Sequence, residues 1–334
     1  MTGRWPLSHR RTIGALAAAT LLLAVFSVAV GETRLDIVAA AGDVMRGRET
    51  LAALVLVELR LPRALLGAVT GFGLGLAGAA MQGLLRNPLA EPGVMGVSGA
   101  AALGAVIVFY AGLSAALPFA LPLGGMAGAA AASAVLFALA GRGLGTTTLV
   151  LAGVAINALA GALTSLVLNL SPNPYAVTEI VFWLMGSLAD RSLADIGLML
   201  APTLAGWWLL LGCGRGLDAL SLGEDVAQSL GFDLPRLRAR LVLGTALAVG
   251  SAVAVTGMIG FVGLVAPHLA RPLAGREPGR LLPAAGLVGA LLTLAADIAL
   301  RLLPLRPELN LGVVTALVGA PFLLVLLRRL RGAA

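Results

Sequence analysis

His268 and Arg271, three residues apart in the segment PHLAR, are the side chains whose types and spacing could move a proton. A lone histidine near a helix end more often has a positional role than a catalytic one. A proton relay and a purely positional role therefore both stay open for His268. The chain has two histidines, one cysteine (Cys213) and no acids paired at a useful spacing, which predicts no metal site and no intrachain disulfide. It contains no lysine and therefore cannot form a GxxxxGK[ST] phosphate loop. Because no nucleophile–base pair stands out either, we predict a chain that is not an enzyme and holds no cofactor.

The elements that must position these residues are strongly apolar. Of 334 residues, 59% are hydrophobic and only 12% are charged, about half the charged share of soluble domains. Apolar runs of about 17 residues or more recur, and each can cross a hydrocarbon core of about 30 Å. We predict an all-α, polytopic membrane protein that forms one transmembrane domain over residues 1–334. About ten spans are expected, at 13–30, 61–83, 93–111, 117–140, 147–169, 192–212, 241–258, 260–270, 281–303 and 310–327.

The arginines indicate which ends of the spans face the cytoplasm. With ten spans and both termini cytoplasmic, 15 of the 23 arginines fall in predicted inside segments, as the positive-inside rule requires. The short span 260–270 is the weakest, yet without it the loop 213–240 or 271–280 would lie on the wrong side. The first apolar run follows three arginines (Arg4, Arg10 and Arg11). It could be a cleaved signal sequence, but we favour a first transmembrane helix.

Two predicted outside segments, 31–60 and 171–190, have the pattern of surface helices, and the second begins with the turn SPNP. Gly67, Gly71 and Gly75 recur every four residues on one span. This spacing favours close packing of helices within the chain over a dimer seam.

One long polar insert, residues 213–240, separates two apolar spans. Within it, the sequence at 221–224 (SLGE) matches a Ser-x-x-Glu capping box, which predicts the start of a helix. Leu222, Val226 and Leu230 recur every four residues and would form one apolar stripe on that helix. An exposed apolar stripe predicts a docking element for another protein, although the insert could also merely connect two spans.

The remainder of the insert predicts a turn and a second helix. Gly231 favours a helix stop. Asp233 and Pro235 can then open a second short helix, so we predict a helix–turn–helix cap over residues 213–240.

Seven segments, in order along the chain, carry the most specific pattern. They are ELRLPR (58–63), GLAGAAMQGLLRNPLAEPGVMGVSGA (75–100), LVLAGVAINAL (149–159), FWLMGSL (182–188), SLGEDVAQSLG (221–231), GMIGFVGLVAPHLAR (257–271) and GVVTALVGAPFLLVLL (312–327). Together they resemble the FecCD/BtuC-type permeases, the membrane subunits of ABC importers for iron–siderophore complexes, haem and vitamin B12. The resemblance extends from about residue 55 to residue 330 and implies a type II ABC importer-like fold.

The resemblance also implies a mechanism and a set of partners. The chain would translocate a metal chelate across the bacterial inner membrane by alternating access. Its partners would be a second copy of itself, two cytoplasmic ATPase subunits that hold ATP and Mg²⁺, an outer substrate-binding protein and membrane lipid. Nucleic acid is not expected, because the arginines behind the net charge of +7 are scattered.

By this resemblance, the helix in the insert is the coupling helix that fits into the ATPase. The residues expected to couple are Ser221, Leu222, Gly223, Glu224, Asp225, Val226, Ala227, Leu230 and Gly231.

The resemblance assigns binding-protein docking to arginines at the outer ends of spans: Arg60, Arg63 and Arg301. The alternative is that these side chains only extend to the membrane edge. Asp297, four residues before Arg301, can hold that arginine in place.

Four residues at inner ends of spans are expected by resemblance to line a cytoplasmic gate: Asn87, Leu89, Thr146 and Thr147. Without the resemblance, Asn87 would be read as a turn residue and the threonines as helix caps.

Other functions and the cargo remain open. Asn310 stands where the family usually has proline, and Leu323 stands where a second aromatic is common, so the cargo is not predicted. A stand-alone ion- or proton-coupled carrier is the alternative. It would need a charge buried at mid-membrane, whereas Glu58 and Asp297 map to the outer edge. An intramembrane enzyme is disfavoured by the missing catalytic groups.

Overall fold

The computed structural model describes residues 7–31, 35–117, 119–140, 146–171, 173–303 and 308–331, and these residues form helices without strands. In chain order the helices are α1 (Leu7–Ala29), α2 (Ile37–Met45), α3 (Leu51–Leu54), α4 (Leu61–Leu85), α5 (Val97–Tyr110), α6 (Leu113–Ala116), α7 (Ala120–Ala140), α8 (Thr146–Leu170), α9 (Pro174–Leu184), α10 (Leu193–Leu211), α11 (Gly214–Ser221), α12 (Glu224–Ser229), α13 (Leu234–Thr256), α14 (Val262–Ala274), α15 (Pro278–Leu302) and α16 (Leu311–Arg331). A π-helical turn, Val55–Arg60, leads into α4, and a 3-10 turn, Pro92–Met95, precedes α5.

Each of the ten predicted spans corresponds to a helix, and the all-α, multi-pass prediction is confirmed. Seven helical stretches among the described residues are long and apolar enough to cross a membrane. The spans missing from that set are α5, α14 and α16. At 13 residues α14 is only about 20 Å long. It begins after backbone turns with positive φ at Gly257 and Phe261, which explains why the eighth span is short.

Helices α4, α13 and α15 form the centre of the bundle. In the 18-residue apolar window of Leu51–Leu85, 78% of the residues are buried, whereas in the corresponding window of Thr147–Leu170 in α8 only 11% are buried. Helices α4 and α15 run antiparallel with their backbones in contact, because a Cβ on Gly71 would lie 2.5 Å from the Gly289 carbonyl oxygen. Gly75 lies equally tightly against Ala285. The glycine repeat therefore packs helices within the chain, as predicted.

The two ends of the bundle can be told apart by contacts of α4 and α15. We call the end that carries α11 and α12 the loop end; there a Cβ on Gly83 in α4 would lie 3.2 Å from Leu217 in α11. We call the opposite end the far end, where Asp297 and Arg301 of α15 meet Arg63 of α4 and the last residues of α1.

Both predicted surface segments contain helices. Asp36 caps α2, with its Oδ1 accepting from the Ala39 N–H at 3.0 Å. Asn173 caps α9 in the same way through the Tyr175 N–H at 3.0 Å. Pro172 of the predicted turn lies outside the described residues.

Candidate functional site

The predicted capping box at 221–224 is wrong. Ser221 is the last residue of α11, and its Oγ donates to the Asp218 carbonyl oxygen at 2.6 Å. Helix α12 begins at Glu224, after Gly223 at φ +119°, and no side chain caps it. Glu224 instead forms an ion pair with Arg238 at 2.7 Å. Arg238, from helix α13, therefore binds the Glu224 carboxylate, which a capping box would have used to accept a backbone N–H.

The second short helix predicted after Asp233 is also wrong. Asp233 caps the long helix α13 directly, because its Oδ1 accepts from the Arg236 N–H at 3.0 Å. Residues 234–240 form the first two turns of that helix. Leu234, Leu237 and Leu241 are buried along one side, so the apolar face of the span continues through the arginine-rich segment.

The apolar stripe of α12 faces away from the rest of the chain. Leu222, Val226 and Leu230 are 66%, 43% and 59% exposed. Gly231, at φ +85°, ends the helix as predicted, and its N–H donates to the Gln228 carbonyl oxygen at 2.8 Å. Only Val226 lies within α12, because Leu222 follows α11 and Leu230 follows α12, so the predicted single-helix stripe is corrected. The three exposed apolar side chains on and beside this short helix still favour binding to a protein partner.

Among the other predicted coupling residues, Asp225 is exposed and Gly223 is partly buried. Ala227 has no exposed area and packs α12 onto its neighbours, so its predicted contact with a partner is corrected. The helical period explains this, because residue 227 lies about 100° around the helix from residue 226.

Behind α12, helix α11 packs against the first turn of α15. Asp218 Oδ1 accepts a hydrogen bond from the Gly279 N–H at 2.7 Å. Partial burial raises the pKa of the Asp218 carboxyl above its ordinary value, and the Gly279 N–H opposes that shift. Spacing along the chain could not reveal the role of Asp218, because its partner is 61 residues away.

At the far end, the predicted docking arginines are occupied by groups of the same chain. Arg63 donates from Nε to Asp297 at 2.8 Å, and both of its terminal nitrogens bind Glu308. Arg301 pairs with the other oxygen of Asp297 at 2.9 Å, so Asp297 holds Arg301 as predicted.

The end of α1 is bound by two of these arginines. Arg60 Nη1 donates to the carbonyl oxygens of Val28 (3.2 Å) and Ala29 (3.0 Å). Arg301 Nη1 donates to those of Ser27 (2.8 Å) and Val30 (2.7 Å). These carbonyls belong to the last turn of α1, which lacks intrahelical donors. The arginines therefore anchor α1 to the bundle, and their docking role stays a prediction.

The predicted gate residues lie at helix ends. Asn87 follows α4 and forms an Asx turn, in which its Oδ1 accepts from the Leu89 N–H at 2.9 Å. Asn87 is exposed and Leu89 partly buried. Thr146 and Thr147 begin α8; Thr147 is exposed, and the side chain of Thr146 lies outside the described residues. Their part in a gate stays a prediction.

His268 belongs to a fixed polar network between α14 and α4. Its Nδ1 lies 3.0 Å from the Leu264 carbonyl oxygen, so that nitrogen carries the proton and Nε2 accepts from Arg271 at 3.2 Å. Arg271 also donates to Gln82 at 2.6 Å. This arrangement favours the positional role of His268 over a proton relay.

Glu91 is a partly buried acid that the sequence pattern did not single out. The chain turns back after α4, and Glu91 lines a cavity of about 400 Å³ together with Leu74, which lies near the middle of α4. Its Oε1 accepts from the Phe261 N–H at 2.7 Å, which fixes the start of α14. In the sequence, the signal that could have drawn attention to Glu91 is the segment AEP (90–92), an acid next to proline just before an apolar run.

No group of three or more His, Cys, Asp or Glu residues that could hold a metal occurs in the described part of the chain. The structure defines a multi-pass helical membrane protein that exposes apolar side chains on and beside a short helix at one end.

Comparison with known proteins identifies the class further. The model of the FecCD transport family matches residues 19–329, and the chain belongs to that family. A second model, the opacity-associated protein A N-terminal motif, matches residues 4–26 alone.

Two curated relatives and one solved structure show the extent of the similarity. The vitamin B12 import system permease protein BtuC of Vibrio cholerae is 44% identical over 273 residues, covering 81% of this chain and 82% of that protein. The hemin transport system permease protein HmuU of Yersinia pestis is 40% identical over 287 residues, covering 82% and 83%. An inward-facing ABC transporter described as of the metal-chelate type has a TM-score of 0.83 and 31% identity, covering 96% of this chain and 99% of that one.

Proposed function

We propose that the chain is the permease subunit of an ABC importer that carries a metal chelate, of the iron–siderophore, haem or cobalamin kind, across the bacterial cytoplasmic membrane. Two copies would enclose the pathway, with both termini cytoplasmic. A binding protein would deliver cargo at the far end. Two separate ATPase subunits, which hold ATP and Mg²⁺, would bind at the loop end and drive alternating access.

The observation that carries this proposal is the exposed stripe of α12. Family membership makes an ATPase subunit its expected occupant, and the stripe offers an apolar anchor of the kind that fits a groove. The ion pair between Glu224 and Arg238 and the buried Ala227 hold α12 firmly on the bundle. A partner that moved α12 would therefore move spanning helices with it.

The far-end arginines can bind a substrate-binding protein only if they first release the groups of this chain that now bind them. Glu308, one-third exposed, occupies the terminal nitrogens of Arg63. A carboxylate of the binding protein would have to take its place. Charge pairs of this kind mainly orient partners and speed encounter.

The test is capture of an ATPase subunit by the purified permease, compared with Val226→Asp. The variant places a charge in the stripe and should reduce capture by at least about tenfold, since burying an unpaired carboxylate costs well over 1.4 kcal/mol. Gln228→Asp is the matched control, because it adds the same charge to an exposed position on the opposite side of α12. It should capture the ATPase as the wild type does.

Uptake by proteoliposomes containing the captured complex then tests transport, with cyanocobalamin and haem as probes. ATP-dependent uptake of either supports the proposal. Failure of the wild type to capture an ATPase, with uptake abolished by an ionophore, would instead establish the ion-coupled carrier. Equal capture by wild type and Val226→Asp would refute the role of the stripe.

A further inference from the structure

Helix α11 touches α15 backbone to backbone. A Cβ on Gly214 in α11 would lie 3.1 Å from the Gly279 Cα in the first turn of α15. A Cβ on Gly279 would lie 2.6 Å from Asp218 Oδ2. The two glycines therefore allow the Asp218 carboxylate to reach the main chain of α15.

Asp218 acts as an N-terminal cap that comes from another helix. Gly279 is the second residue of α15, where backbone N–H groups have no acceptor within the helix. The local N-cap residue, Glu277, makes no capping bond and instead pairs with Arg280 at 2.8 Å. Asp218 supplies the missing acceptor to Gly279 at 2.7 Å, and a charged acceptor makes this a strong hydrogen bond.

The same residue is closely tied to the docking helix. Ser221 Oγ binds the Asp218 carbonyl oxygen at 2.6 Å, and only Leu222 and Gly223 separate α11 from α12. Leu217 and Leu220 are almost fully buried and fix α11 in the bundle. Asp218 therefore lies within about one turn of the end of α11, from which the chain leads into α12.

Helix α15 extends from this contact to the far end. Its 25 residues span about 37 Å and end beside the Asp297–Arg301 pair. A second connection, the Glu224–Arg238 ion pair, leads from α12 into α13 instead. The two connections give separate routes from the loop into the bundle.

We propose that Asp218 is a positioning residue for transport, which joins the docking loop to α15 so that movement imposed on α12 shifts this central helix. The inference rests on the proposed function, because it requires an ATPase partner at α12. The Asp218–Gly279 hydrogen bond is the joint. The α13 route alone does not couple ATP hydrolysis to transport.

The experiment measures ATPase capture, ATP hydrolysis and uptake per ATP in proteoliposomes, with whichever of cyanocobalamin and haem the wild type imports. Asp218→Ala removes the acceptor and should keep capture and hydrolysis while uptake per ATP falls by at least about tenfold, the factor for one hydrogen bond to a charged group. Asp218→Asn retains an acceptor oxygen and should keep most of the coupling.

Asp233→Ala is the matched control. It removes a capping bond of the same kind from the same loop, but Asp233 is exposed and caps α13. It should keep uptake per ATP near the wild-type value. An equal loss in Asp233→Ala, or in Asp218→Asn, would show general loosening of the loop and overturn the proposal.

A further variant keeps the test decisive if Asp218→Ala does not insert stably. Gly279→Ala keeps Asp218 in the sequence, but the added Cβ would lie 2.6 Å from Asp218 Oδ2 and push the carboxylate away from the residue 279 N–H. The same loss of uptake per ATP is therefore expected. Normal uptake per ATP in either variant overturns the inference alone. If the wild type captures no ATPase, the proposed function fails first and the inference falls with it.

Discussion

Replacement of Asp297 by Asn is expected to destabilise the far end of the bundle. The carboxylate is 1% exposed and lies between Arg63, at 2.8 Å, and Arg301, at 2.9 Å. Asparagine keeps the size and one acceptor oxygen but removes the negative charge. Two largely buried cations then face each other without their shared counter-charge.

The size of the loss in stability depends on the contacts that Arg63 and Arg301 retain in the variant. Arg63 retains Glu308, and Arg301 retains its hydrogen bonds to the end of α1. Breaking a buried ion pair costs about 3–5 kcal/mol, and these remaining contacts place the loss near the lower end of that range. A loss of about 3 kcal/mol corresponds to a change of about 10²-fold in the unfolding equilibrium.

The assay is SDS-induced unfolding in detergent micelles, followed by tryptophan fluorescence. Asp43→Asn is the control, because its 3.8 Å pair with the exposed Arg48 should be worth about 1 kcal/mol or less. If Asp297→Asn lowered the unfolding free energy no more than Asp43→Asn, the buried cluster would not hold the far end together and the reasoning would be refuted.

Two further predictions concern the interior of the bundle. Glu91→Ala leaves the Phe261 N–H without its acceptor and should cost about 1–3 kcal/mol in the same unfolding assay, whereas Glu91→Gln retains an acceptor and should cost less; equal losses would contradict the role of that bond. Gly71→Ala puts a Cβ 2.5 Å from the Gly289 carbonyl oxygen and should cost about 1–3 kcal/mol by overpacking, while Gly14→Ala, with nothing within 4 Å, should be neutral or slightly stabilising. A neutral Gly71→Ala would show that α4 and α15 can separate freely.

Local features of the chain were predictable from the sequence. The ten spans follow from the length of the apolar runs, because a backbone in lipid must form its hydrogen bonds within its own segment. The contact between Asp297 and Arg301 follows from helical periodicity. These two residues lie about one turn apart on one helix, so spacing alone decides the contact.

Partners distant in sequence were decided only by the tertiary structure. Glu224 pairs with Arg238 instead of capping its own helix, Asp218 accepts from the Gly279 N–H, and Glu91 accepts from the Phe261 N–H, 170 residues away. A carboxylate binds the strongest donor that the fold brings near it, and spacing along the chain does not reveal which donor that is. The sequence therefore determined the class of protein and the apolar stripe that α12 and its flanking residues expose. The path of the chain through the bundle determined how that stripe is joined to the helices it would move.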